Sequence, residues 1–161
     1  MMRNLNLVVR LFAFSGSFQS RKMSSENCLF CKIITGSSPA KICFQDEEII
    51  AFHDIKPASK NHILVVPKQH IDNVNALDAS NISLVEKMVD CGKSVLGELQ
   101  ADISDVRFGF HRPPFNSIKH LHLHCISPMS QMSFTQNLIF RPNTWWFTTV
   151  DRALDMMKSK I

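Results

Sequence analysis

Three histidines alternate with apolar residues in the run His120-Leu121-His122-Leu123-His124-Cys125-Ile126, and a fourth, His62, opens an earlier apolar run. Imidazole is a nucleophile near neutral pH, a proton donor when charged and a hydrogen-bond donor to phosphate oxygens. In an extended chain successive side chains point to opposite faces. His120, His122 and His124 therefore share one face, about 7 Å apart, and Leu121, Leu123 and Cys125 share the other. Such a row can set one ring against a phosphorus atom while its neighbours orient it and stabilise developing charge. The same row would also suit a metal ion, or a half-exposed strand without chemistry, and spacing alone does not choose between these. Three buried rings with no role are improbable, because each polar nitrogen would still need a partner.

A second group with chemical capacity is the pair Cys28 and Cys31 in Cys-Leu-Phe-Cys. With Cys43, Cys91 and Cys125 it makes five cysteines, an odd number without a secreted disulfide framework. Reduced intracellular thiols are the simpler reading, and the pair is either part of a metal site or two buried thiols.

The elements that must position these residues follow from periodicity and turn signals. Residues 28–34 read as a short helix stopped by Thr35 and Gly36. Residues 41–45 and 49–53 read as a hairpin around the acidic turn Asp46-Glu47-Glu48. Residues 62–66 are a β-branched run ended by Pro67, the pattern of a central strand. One long helix follows, capped by Asp78 or Ser80, with Ile82, Val85, Met88, Val89, Gly92, Val95, Leu96 and Leu99 along one face. Residues 106–110 and 120–126 are further strands, separated by a loop in which Pro113 and Pro114 exclude regular structure. Residues 151–160 form a short amphipathic helix. The expectation is an α+β domain: about five antiparallel strands, one long helix and short terminal helices.

A chain of 161 residues with 45% hydrophobic content suits one domain with an ordinary core. Its net charge of +4 is concentrated at the front, where Arg3, Arg10, Arg21 and Lys22 precede the first acid, Glu26. The rest is nearly balanced, which argues against a nucleic-acid binder and leaves anionic small molecules open. The apolar stretch 5–14 contains Asn6 and Arg10, so no membrane span is expected. Residues 1–23 have the acid-free, Arg- and Ser-bearing composition of a mitochondrial transit peptide. The alternative is a flexible extension over 1–25, with Met23 as a second start.

The histidine run resembles the signature of the histidine triad superfamily, His-Φ-His-Φ-His-Φ-Φ with Φ apolar. Three more blocks are similar to that superfamily, in the same order: residues 28–34, residues 51–57 (Ala-Phe-His-Asp-Ile-Lys-Pro) and residues 62–71 (His-Ile-Leu-Val-Val-Pro-Lys-Gln-His-Ile). The likeness covers residues 28 to about 128 and is strongest to the adenosine 5'-monophosphoramidase branch. It implies a histidine triad fold over residues 26–130, with 131–161 as an extension packed on it. It also implies a homodimer or higher homo-oligomer, with hetero-oligomers among related members, and residence in cytoplasm and nucleus.

By the same resemblance the substrates are AMP conjugates of amines, cleaved to AMP without a diffusible cofactor. His122 would attack the α-phosphorus and carry the nucleotide covalently. His124 would bond the phosphate and assist the leaving group, with His120 and His62 supporting from behind. Asp54 and Ile55 would hold the ribose, Leu29, Phe30, Ile33 and Phe52 would line the purine pocket, and Ser117 and Leu123 would complete the AMP contacts. Some members hold a structural zinc through a cysteine pair, a histidine and the first motif histidine. Here those positions are Cys28, Cys31, His70 and His120.

Two stretches depart from the pattern. Gly109 occupies the position of an Asn, and the Phe110-His111 and Pro-rich loop is closer to the aprataxin branch, which removes AMP from DNA ends. Arg112, Lys119 and Arg141 could touch a phosphate in such a variant. The tail with Trp145, Trp146 and Phe147 is also unlike the short tail of the better-known phosphoramidases, and is expected to cover the core or a subunit contact. The rival readings are therefore a nucleic-acid adenylate hydrolase and a nucleotide-binding scaffold.

Overall fold

The computed structural model describes residues 27–160. The extension or transit peptide read over residues 1–25 lies outside them.

The first helix, Leu29–Ile34 (α1), leads to a hairpin of Ile42–Gln45 (β1) and Ile49–His53 (β2). The next strand, Asn61–Pro67 (β3), is buried along its whole length, as expected for a β-branched run at the centre of a sheet. Asp78 accepts hydrogen bonds from Ser80 and starts a short 3-10 turn that runs into the long helix Ile82–Glu98 (α2). Then come Arg107–His111 (β4), Leu123–Ser127 (β5), the short helix Phe134–Ile139 (α3), Phe147–Thr149 (β6) and the helix Val150–Lys158 (α4). Among the described residues no helix is long and apolar enough to cross a membrane.

The strands form one sheet in the order β1-β2-β3-β5-β4-β6, with every pairing antiparallel. Among the described residues there are six strands rather than about five. The sixth, β6, pairs with β4 through Gly109↔Thr149 and His111↔Phe147. Its three residues carry no periodicity of their own, and it exists because β4 offers an otherwise unpaired edge.

The helix α2 covers one face of the sheet. Val85, Met88, Cys91, Val95 and Leu96 pack with Leu121, Leu123 and Cys125 in the main core, which α4 closes with Ala153 and Met157. Gly92 lets the helix approach closely, since a Cβ there would lie 2.6 Å from the Cys125 sulfur. The opposite face carries the histidines between two smaller apolar clusters. One is Phe30, Ile33, Phe52, Leu64 and Val66; the other is Ala58, Ile126, Met132, Phe140 and Phe147.

The histidine run departs from the expected strand 120–126. β5 starts only at Leu123, three residues late. The register pairs Val65 with Leu123, so its continuation would set Leu121 opposite Pro67. Pro67 has no N–H to give, and its carbonyl accepts from His120 Nε2 at 2.8 Å. The Leu121 N–H turns instead to the Ile71 carbonyl at 2.6 Å. The alternation of faces survives this, because Leu121 stays in the main core.

Gly109 has a clear steric reason. A Cβ there would meet the Phe147 ring and the Thr148 carbonyl, each at 2.5 Å. Gly109→Ala should therefore push β6 off the sheet edge and cost about 1–3 kcal/mol. Denaturant unfolding would show a lower midpoint, and an unchanged midpoint would refute the close approach.

Candidate active site

The site is built where β3, β5 and β4 lie side by side. His62 comes from β3, His124 from β5, and His122 from the residues just before it. All three are buried, as is His120. Burial pushes His62 down to about 3 and His122 to about 4, and drives His124 well below the ordinary imidazole range. The rings are neutral near pH 7, so each has one N–H and one lone pair, and hydrogen-bond partners decide which nitrogen carries which.

Those partners allocate every nitrogen. The His122 Nδ1 lies 2.6 Å from the His120 carbonyl. A carbonyl only accepts, so Nδ1 carries the proton and Nε2 holds the lone pair. The Ala58 N–H donates to His62 Nδ1 at 3.1 Å. His62 must then carry its proton on Nε2, which donates to His124 Nδ1 at 2.9 Å. The His124 proton is left on Nε2, a buried atom with no partner among the described residues. An unpaired buried donor costs about 1–3 kcal/mol, a cost that a bound acceptor would offset. The histidines thus present a bare nucleophilic nitrogen on His122 beside an unspent N–H on His124, with ring centroids 4.9 Å apart.

Two cavities meet at these rings. The first, about 500 Å³, is lined by Leu29, Phe30, Ile33, Phe52 and Ile55 together with His122 and His124. Phe30 stands edge-on to both Phe52 and His122, at 5.5 and 5.2 Å between centroids. The second, about 570 Å³, is lined by His111, Phe115, Leu138, Phe140 and Trp146 on the other side of the same two histidines. Asp54 and Ser117 border both cavities. Asp54 Oδ1 accepts from the Lys56 N–H at 2.8 Å, and Oδ2 lies 3.6 Å from His62 Nε2. Burial raises its carboxyl above the usual range.

Of the site residues expected from sequence, His62, His120, His122, His124, Asp54, Ser117, Leu29, Phe30, Ile33 and Phe52 lie at or beside this junction. Ile55 lines the first cavity but is 86% exposed. Leu123 is the exception. Strand alternation turns its side chain into the main core under α2, so only its backbone faces the histidine side.

His111 was not among the expected site residues. Its ring lies 5.0 Å from His124 and lines the second cavity. Its sequence signal is the alternation in β4, where Phe110 faces the core and Gly109, paired with His124, shares a face with His111. In the tail, Trp146 packs on the cluster of Phe140 and Phe147, as a residue covering the core would. Trp146 covers the second cavity, anchored by Nε1 to the Leu138 and Ile139 carbonyls, while Trp145 is exposed against Phe115.

His120 faces away from the cavities, toward the cysteine pair. Its Nε2–H is spent on Pro67, so its Nδ1 lone pair points at the sulfurs of Cys28 and Cys31, at 3.4 and 3.5 Å. His70 repeats the arrangement: Nε2 bonds Asp72 at 3.1 Å, and Nδ1 lies 3.2 Å from the Cys31 sulfur. The four ligand atoms all fall within 4.8 Å of one another. Two thiols and two oriented imidazole lone pairs, each imidazole held from behind, fit a tetrahedral ion such as zinc.

Comparisons with known proteins agree with this architecture. Residues 27–139 match the family model described as scavenger mRNA decapping enzyme C-term binding. The chain is 44% identical over 135 residues to the mouse protein named adenosine 5'-monophosphoramidase HINT3, covering 82% of each. It is 46% identical over 105 residues to the Arabidopsis thaliana bifunctional adenosine 5'-phosphosulfate phosphorylase/adenylylsulfatase HINT4, covering 64% of this chain and 71% of that one. Among solved structures, a HIT family hydrolase from Clostridium thermocellum superposes with a TM-score of 0.60 at 34% identity, covering 63% of this chain and 90% of that one.

The buried neutral rings make stability depend on pH. The folded chain holds His62 and His124 below the 6.5 of an ordinary imidazole, so it binds fewer protons than the unfolded chain. Their contribution is complete above pH 6.5 and is lost as pH falls toward the folded values, at roughly 1 kcal/mol per pH unit for each ring. Ring titration by NMR should find both neutral between pH 7 and 5. Protonation of either near 6.5 would contradict the hydrogen-bond assignment.

Proposed function

The chain belongs to the histidine triad superfamily, and from that premise we propose that it hydrolyses adenosine 5'-phosphoramidates through a covalent nucleotidyl-histidine at His122. The observation that carries this reading is the allocation of ring protons, which leaves His122 Nε2 bare and His124 Nε2–H unspent at the meeting point of two cavities. The mouse relative's name, at 44% identity, supports the choice of an AMP–amine bond.

In this reading the purine lies among Leu29, Phe30, Ile33 and Phe52. Asp54 accepts from the ribose hydroxyls with the oxygen that Lys56 does not occupy. His122 Nε2 forms a bond to the α-phosphorus as the P–N bond breaks. The amine leaves with the electron pair of that bond and takes up one proton from solvent, since the neutral His124 ring keeps its own. The His124 Nε2–H is placed to bond the leaving nitrogen, and the His122 Nδ1–H bonded to the His120 carbonyl shares the charge that develops on the attacking ring. Water then attacks phosphorus, AMP departs, and the proton taken up in the first step is returned. Positioning and fixed dipoles carry the reaction, with no step through a metal.

Zinc fits Cys28, Cys31, His70 and His120, where it would tie α1 to the segment after β3 and the segment before β5. Its contribution there is a structural cross-link, since His122 and His124 are not in that set.

His122→Ala and His122→Gln should each lower kcat on an adenosine phosphoramidate by at least about a thousandfold, without loss of AMP binding in a titration. Comparable turnover in either variant would remove His122 as the nucleophile. For the metal, elemental analysis should find about one zinc per chain, and a strong chelator should lower Tm. Cys31→Ser should abolish both effects. A metal-free protein of unchanged Tm would show the four groups to be a bare thiol–imidazole cluster.

A further inference from the structure

The cysteine pair has a reaction open to it that metal binding does not use. Cys28 stands at the N-cap of α1 in extended backbone, its thiol capping nothing, and Cys31 is the third residue of the helix. Side chains at those two positions meet, as they do in a capping box. Both sulfurs lie against one atom, His120 Nδ1, at 3.4 and 3.5 Å, and all four ligand atoms of the cluster fall within 4.8 Å. A disulfide needs about 2 Å between sulfurs, a closure within reach of side-chain rotation and a small shift of the first helical turn.

The pair is also reached from outside. A cavity of about 660 Å³ lies beside it, lined by Cys28, His70, Asp72, Ser117 and Lys119. Asp72 and Lys119 are exposed, so a small oxidant enters from solvent. Burial pushes the Cys31 thiol up to about 11, so in the metal-free chain the reaction is slow near pH 7.

What the pair touches makes such a bond consequential. Cys28 and Cys31 bracket Leu29 and Phe30, and both of these line the purine-side cavity. A disulfide closes a ring around those two residues and resets the backbone that carries them. The Phe30 ring stands edge-on to His120 and His122, at 6.0 and 5.2 Å between centroids. His120 is the second joint. Its side chain faces the sulfurs, and its carbonyl accepts from His122 Nδ1 at 2.6 Å. Joined sulfurs have no hydrogen to donate and no thiolate to share with a metal, so the His120 lone pair loses its partners.

We propose that Cys28 and Cys31 are a redox modification site that governs nucleotide affinity: a hydroperoxide joins the two sulfurs, and the oxidised chain binds AMP more weakly. With hydrogen peroxide the step balances. The S–S bond forms, the O–O bond breaks, each sulfur gives up one electron, and two waters carry away the thiol protons. From thiolates on a metal, the two protons come from solvent and the ion is released. Thiol reductants reverse the bond by exchange. The inference rests on the reading of the purine-side cavity as the AMP site, and on neither the nucleophile nor the leaving group.

The test uses the full chain carrying Cys43→Ser, which removes another thiol that is not fully buried, reduced or after prolonged hydrogen peroxide treatment. Peptide mass analysis should find a Cys28–Cys31 disulfide, with any bound zinc released in proportion. Calorimetric titration should give an AMP Kd about tenfold higher in the oxidised form, within the usual range of coupling between sites. Dithiothreitol should restore it, which assigns the effect to sulfur pairing, because methionine sulfoxide needs its own reductases. Cys28→Ser and Cys31→Ser should each keep their own affinity, whatever its value, through both treatments. An oxidised chain without that bond, or with the bond and an unchanged Kd, would overturn the proposal. AMP binding by neither form would remove the cavity reading, and the proposal with it.

Discussion

Four buried imidazoles in one domain are tolerable only if every ring nitrogen has an assigned task, and the rest of the site depends on how that is met. Backbone groups set the pattern. The Ala58 N–H fixes His62, and through it His124; the carbonyls of His120 and Pro67 fix His122 and His120. Backbone amides do not titrate, so the donor and acceptor identities persist wherever the fold persists. Burial adds the second half of the constraint. By disfavouring charge it keeps the rings neutral, and a neutral imidazole is nucleophilic where its lone pair is free.

Pro67 divides the histidine row into two functions. Because it cannot donate, the β3–β5 ladder stops there, and residues 120–122, with His120 at a bend, lie outside the ladder and are tied elsewhere. The Pro67 carbonyl, freed from the ladder, takes the His120 ring and turns its lone pair toward Cys28 and Cys31. One residue pair later, His122 and His124 face the cavities. A single proline therefore separates a half that faces the cysteine pair from a half that faces the cavities within five residues of sequence.

Much of this was legible before any coordinates. Alternation over residues 120–126 reports which side chains share a face, and it holds for Leu121 and Cys125 in the core as well as for the histidines. The β-branched run and the helical apolar stripe mark β3 and α2 for the same reason: burial demands a period, and the period is visible. What escaped had no local signature. The late start of β5 depends on where a distant proline falls in the register. β6 is too short to show alternation and is specified by the free edge of β4. His111 sits in a strand whose neighbour had to be known first, although Gly109 paired with His124 places it directly. Leu123 entered the expected site by its place in the motif, against the alternation that puts its side chain in the core.

The C-terminal segment joins the sheet edge and the wall of the second cavity through one strand. For β6 to pair with β4, residue 109 must lack a side chain, because Phe147 and the Thr148 carbonyl fill the space beside it. The same pairing brings the Trp146 carbonyl to His111 and buries Phe147 against Phe140, 5.6 Å between ring centroids. Gly109 stands where an Asn is expected by resemblance, so the polar group given up there is replaced by His111, two residues along the same face. A site of this kind cannot exchange its tail freely. Losing β6 would expose the edge of β4, unseat the aromatic wall and release the His111 tautomer together, since all three hang on the same three-residue pairing.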